Sequence, residues 1–136
     1  MRKFLGLRII VSIMLSAALL ANSPPASADE KVTPLLKQSL EGLNGMEANV
    51  AVVEVSPGHE TERHTHPGHV FLYVLEGEIE LDLEGLDPMR VKAGEAAYEL
   101  PNVPMVGRNV SSQEGARLVL FQLGKENEEL TVPAPK

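Results

Sequence analysis

The sequence predicts an all-β fold, a sandwich or barrel built from short strands. Three observations carry this. After residue 28, no long stretch repeats apolar residues at the 3.6-residue spacing of an amphipathic helix. Short runs rich in Val, Leu and Ile recur instead, each bounded by Gly, Pro or Asn, the residues of turns. Finally, Glu78 to Leu83 alternates without a break. Ile79, Leu81 and Leu83 fall on one face, while Glu78, Glu80 and Asp82 fall on the other. That period of two marks a half-buried strand.

Taken in order, Asp29 to Thr33 reads as a polar lead-in, and Pro34 to Leu40 fits a short strand or a turn of helix equally well. Glu41 to Gly45 holds two glycines and an Asn and reads as a turn. Glu47 to Val55 is β-branched and apolar and predicts a strand, ended by Ser56-Pro57-Gly58. His64 to His66 predicts a short strand before the Pro67-Gly68 turn. Val70 to Leu75 is the most apolar strand, closed by Glu76-Gly77. Strands are further expected over Glu78 to Leu83, Met89 to Lys92, Ala96 to Leu100, Met105 to Asn109 and Ala116 to Leu123. Pro101 to Pro104 reads as a rigid loop, and Lys125 to Lys136, charged and Pro-containing, as a loose tail.

The first residues have the pattern of a secretory signal peptide. Arg2, Lys3 and Arg8 precede an apolar run from Ile9 to Ala21, and Ala26-Ser27-Ala28 supplies small residues for cleavage. The run is short of the roughly 20 residues that a membrane span needs. We therefore expect residues 1–28 to be a signal peptide, residues 29–136 to be one domain with a core over about 32–123, and the location to be periplasmic or secreted. No stable membrane insertion is expected after cleavage.

The whole chain carries 12 basic and 19 acidic residues, a net charge of −7. Removing Arg2, Lys3 and Arg8 leaves 9 basic residues and a net charge of −10. Such an acidic chain lacks the basic surface that nucleic acid demands. There is no cysteine, so neither disulfides nor thiolate chemistry enters. No nucleophile elbow and no phosphate-binding Gly loop occurs.

One stretch proposes chemistry. His64 and His66 are one residue apart, so a strand would present both imidazoles on one face, and imidazole is the commonest protein metal ligand. His69 follows three residues later. Alternation sets it on the opposite face from Val70. His59 lies upstream in a polar loop. Tyr73 and Tyr98 read as packing residues.

Together these residues resemble the small single-domain cupins, over about Val32 to Leu123. The family's first motif appears as Gly58, His64-Thr65-His66, Val70 and Gly77. The second appears as Gly94, Pro101-Asn102-Val103-Pro104-Met105 and Asn109. The flanking His-Pro-Gly, Tyr-Val-Leu-Glu-Gly, Lys-Ala-Gly-Glu and Gly-Arg-Asn-Val segments fit as well. The resemblance implies a jelly-roll barrel, the double-stranded β-helix, with a metal at its mouth in most enzymatic members. The family's ligands are two His, a Glu and a distal His. Here Val70 stands in the Glu position and Met105 in that of the distal His.

The resemblance leaves three readings. In the first, the chain is an exported barrel that binds a metal ion or small molecule through His64 and His66, with Met105 as a tentative third ligand. Thioether sulfur would favour copper(I). In the second, it is a metal-dependent enzyme of dioxygenase or isomerase type with an altered ligand set, His69 being a less favoured substitute. Manganese, iron or nickel would then be the ion. In the third, it is a metal-free structural or interaction barrel. Related small cupins are often dimers, so a homodimer paired along the edge near Leu35 to Leu40 is a further expectation.

Overall fold

The structure is a computed structural model that describes residues 30–135. The expected signal peptide lies outside the described residues. Ten strands occur among them: β1 (Glu30–Ser39), β2 (Met46–Val55), β3 (His64–Thr65), β4 (His69–Glu76), β5 (Glu78–Leu83), β6 (Met89–Lys92), β7 (Ala96–Glu99), β8 (Met105–Asn109), β9 (Ala116–Lys125) and β10 (Val132–Pro133). No helix is present among the described residues. The strands form two five-stranded antiparallel sheets. One has the order β1-β2-β9-β4-β7, and the other has the order β10-β3-β8-β5-β6. This is the all-β jelly-roll barrel that the sequence predicts.

The core lies between the sheets and follows the alternation rule. β4 buries Val70, Leu72 and Val74 and exposes His69, Phe71 and Tyr73. β5 buries Ile79, Leu81 and Leu83, as its period of two requires. From β9 come Ala116, Leu118, Leu120 and the polar Gln122. Every aromatic residue described (Phe71, Tyr73, Tyr98 and Phe121) stands off the inner face, so the interior is aliphatic. Phe71 contacts both Tyr98 and Phe121 on the outside of the first sheet.

Turns are held by specific chemistry. Asn109 is buried, and its Nδ2 donates to the carbonyls of Val55, Ser56 and Glu114, while its Oδ1 accepts from the Ser111 amide. It ties the β2–β3 and β8–β9 connections together at one end of the barrel. Gly68 allows a close crossing: a Cβ there would meet the Leu123 carbonyl oxygen at 2.5 Å.

Two segments differ from the expectation. The lead-in from Glu30 joins Pro34 to Ser39 in one strand, β1, because the whole segment pairs with β2, with a register shift between Pro34 and Leu36. β1 ends the sheet order and is exposed along nearly its whole length, with Leu35 and Leu36 more than half exposed. The segment after Lys125, expected as a loose tail, packs back on the barrel. Val132 and Pro133 pair with Thr65 and His64, and Ala134 N–H donates to the Arg63 carbonyl. Main-chain pairing and the partly buried Leu130 hold it there, neither of which its charged composition advertises.

Candidate functional site

His64 and His66 lie at one end of the barrel, on and just after β3, with ring centroids 5.0 Å apart and ring planes perpendicular. Each ring is oriented by a backbone carbonyl. His64 Nδ1 is 2.8 Å from the Glu62 oxygen, and His66 Nδ1 is 2.7 Å from that of Leu130. A carbonyl oxygen only accepts, so both Nδ1 atoms carry a hydrogen and each ring turns its Nε2 the other way. The returning C-terminal segment thus orients His66. From the other side, Asn102 N–H donates to the His66 carbonyl at 2.7 Å. Asn102 does so from a left-handed conformation, φ 58°, between Pro101 and Pro104.

Met105 is buried and stands directly across from His64 in the β3–β8 pairing. His69 is on the outer face. Its Nδ1 lies 2.6 Å from the Tyr98 hydroxyl, and the two rings stack. His59 belongs to the outer hollow at the barrel mouth, with Glu60, Thr61 and Arg63.

The structure adds a carboxylate that the motif comparison does not reveal. Val70 leaves the family's Glu position apolar, but its cross-strand partner on β7 is Glu99. Its partner on the other side, on β9, is Gln122. All three point inward, and all are buried. Glu99 Oε2 lies 3.2 Å from His66 Nε2, with each side chain less than 5 % exposed. His66 is the only side chain that Oε2 meets this closely, and Oε2 has no other partner among the described residues. Gln122 Oε1 has no partner among them, although Gln122 Nε2 donates to the Glu129 carbonyl. Burial disfavours the charged imidazolium. The Glu99 carboxylate, aided by the Leu130 carbonyl and Gln122, outweighs this and holds the His66 pKa above its ordinary value. Glu99 was hidden in the sequence because Tyr-Glu-Leu reads as a strand end. Only the pairing of β4 with β7 sets its side chain on the Val70 face.

These residues close one end of a cavity of about 240 Å³. Val53, Leu72, Ile79, Leu81, Met105, Leu118 and Leu120 make its apolar wall; His64, His66 and Glu99 line it at this end, and Glu30, Thr61, Arg108 and Thr131 add polar groups elsewhere. Among the described residues, no three His, Cys, Asp or Glu side chains form a ready metal cluster. His66 and Glu99 are a pair, and the other buried oxygen near them is an amide's.

Comparison with known proteins agrees with this architecture. No curated protein sequence matches the chain. Solved structures do. A protein with a double-stranded β-helix domain from Klebsiella pneumoniae is 24 % identical, with a TM-score of 0.63, over 82 % of this chain and 90 % of its own. A cupin-like protein from Thermotoga maritima is 20 % identical, with a TM-score of 0.62, over 79 % and 77 %. The DMSP lyase DddQ from Ruegeria pomeroyi is 23 % identical, with a TM-score of 0.57, over 64 % of this chain, which spans only 43 % of the lyase. At these identities the likeness establishes the fold alone. The family profile described as "Cupin domain" matches residues 51–121. That is more than half of the chain and includes His64, His66, Val70 and Glu99, and the chain belongs to the cupin family.

Proposed function

We propose that this chain is an exported cupin barrel that binds a small, largely apolar molecule bearing one polar or charged group. The apolar part occupies the interior cavity, and the polar group lodges against His64, His66 and Glu99. The observation that carries this reading is the cavity itself, largely apolar on its walls, with the paired imidazoles and Glu99 among its few polar lining groups. Ligand sites have this composition, with a few placed polar groups fixing orientation. An apolar cavity of roughly 150 Å³ takes benzene, so about 240 Å³ suits a substituted ring or short branched chain. Export rests on residues 1–28 alone.

The test is thermal unfolding with ring-sized probes such as benzoate, phenol and benzylamine. A probe at 100 times its Kd stabilises the folded state by about 2.7 kcal/mol, which raises Tm by several degrees. Leu81→Trp, which fills the cavity, abolishes the shift. If no probe shifts the melting curve, or the shift survives Leu81→Trp, the reading fails.

A metal-bound form is the second reading. Two imidazoles whose Nδ1–H groups are each fixed by a backbone carbonyl are oriented as ligating histidines are. Copper(I) on His64, His66 and Met105 draws support from the His64–Met105 pairing. The carboxylate beside His66 favours a harder ion.

A further inference from the structure

We propose that the outer face of the first sheet, β1-β2-β9-β4-β7, is an interface on which a second copy of this chain packs face to face, with the two-fold axis running along β9. The contact is independent of what the cavity binds. It sets the dimer on the face of the sheet instead of at the β1 edge expected from the sequence.

Register builds this face. One row across it reads Leu36, Val50, Phe121, Phe71 and Tyr98, from β1 to β7. The next row carries Val52, Val119 and Tyr73. Neither row holds a charged side chain. Leu36 is 52 % exposed, Phe71 and Tyr73 are each 47 % exposed, and Tyr98 is 39 % exposed. Phe71 gathers Tyr98 and Phe121 around it, with ring centroids 5.1 and 6.2 Å away. A contiguous apolar patch of this kind is uncommon on a monomer, and aromatic enrichment with few charges marks the centre of an interface. The other sheet is the contrast. On its outer face Arg90 and Arg108 pair with Glu78 and Glu80, as suits a surface that stays in water.

Charge, size and shape all point to a copy of the same chain. Residues 29–136 hold 9 basic and 19 acidic residues, a net charge of −10, so two copies repel over most of their surface. The charges bordering this face cancel instead: Lys31 pairs with Glu54 at 3.3 Å, and Arg117 with Glu76 at 2.8 Å. β2 and β9 have ten residues each. Five strands about 4.8 Å apart, with about 3.3 Å per residue, give a footprint of about 24 by 33 Å, or about 800 Å². A standard interface buries about that area on each partner. Rotation about β9 lays β1 of one copy over β7 of the other, and β2 over β4. Leu36 then meets Tyr98, and the small Val50 meets the large Phe71, so the face complements itself. The β1 edge is less suited to pairing. Pro34 has no N–H to give, and the register shift between Pro34 and Leu36 interrupts the ladder; both features blunt a sheet edge.

The experiment is sedimentation equilibrium of the purified chain up to about 100 μM, ten times the weakest affinity expected. Expected is a dimer with a Kd of about 10 μM or below. Phe71→Lys/Tyr98→Lys weakens it at least about a hundredfold, while Asp82→Ser/Arg90→Ser on the other sheet leaves it within about twofold. Should the double lysine variant fail to fold by circular dichroism, Tyr73→Lys, on the neighbouring row, weakens the dimer at least about tenfold. The chain has no cysteine, so introduced thiols report the arrangement without ambiguity. A short bismaleimide joins Leu36→Cys to Tyr98→Cys when the two variants are mixed, and joins neither variant to itself. The proposal is overturned if the parent stays monomeric over the whole range, or if the folded lysine variants associate as tightly as the parent. Self-linking of Leu36→Cys, the mark of pairing along the β1 edge, overturns it as well.

Discussion

Placing Glu at position 70 while keeping Glu99 should destabilise the metal-free barrel by about 3–5 kcal/mol. Val70 is fully buried and directly opposite Glu99. Side chains so paired have Cβ atoms about 5 Å apart. Two carboxylates at that separation, with an effective dielectric constant near 20, repel by about 3 kcal/mol. Relief by protonation is no cheaper. Holding a proton on a carboxyl of ordinary pKa at pH 7 costs about 3.7 kcal/mol, at 1.36 kcal/mol per unit. Part of the apolar burial of Val70, worth up to about 2 kcal/mol, is also lost. A domain of this size has only about 5–15 kcal/mol in total, so the effect is easily measured by urea denaturation in the presence of a chelator. The informative comparison is a double-mutant cycle with Val70→Glu, Glu99→Val and both together. Moving the carboxylate without duplicating it should recover about 3 kcal/mol, the size of the repulsion. A coupling below about 1 kcal/mol would show that positions 70 and 99 do not share one buried space.

Two other perturbations probe the frame around the site. Asn109→Ala strands three carbonyl acceptors and the Ser111 amide at a buried position, at about 1–3 kcal/mol per buried group left unsatisfied. We expect a loss of at least about 3 kcal/mol in urea denaturation, against less than about 1 kcal/mol for removing the exposed Glu76–Arg117 pair with Glu76→Ala. Truncation after Glu128 removes the carbonyls that hold His66 Nδ1 and Gln122 Nε2. Modification of His66 by diethylpyrocarbonate, read by mass spectrometry, should then rise at least severalfold. An unchanged rate would mean that the C-terminal segment does not shield the site.

The sequence by itself determined the fold class and nearly every strand. Period-two alternation in Glu78 to Leu83 and the Gly/Pro boundaries are local signals, and local signals survive in a one-dimensional reading. The paired faces of His64 and His66 were legible for the same reason, as was the outward direction of His69. The course of the chain beyond Lys125 was not legible, because the bonds that seat it on His66 and Arg63 span 64 and 72 positions. Glu30 to Ser39 was ambiguous until β2 supplied its partner. The carboxylate was the deepest omission. Read along the chain, position 70 lost its Glu and the site lost its only acid. Read across the sheet, Glu99 lies beside Val70 on the same inner face. Which residue stands next to which across strands is fixed by register, and register is a property of the packed sheets. The motif named the scaffold and half of the site, and the pairing of β4 with β7 and β9 decided which oxygens meet His66.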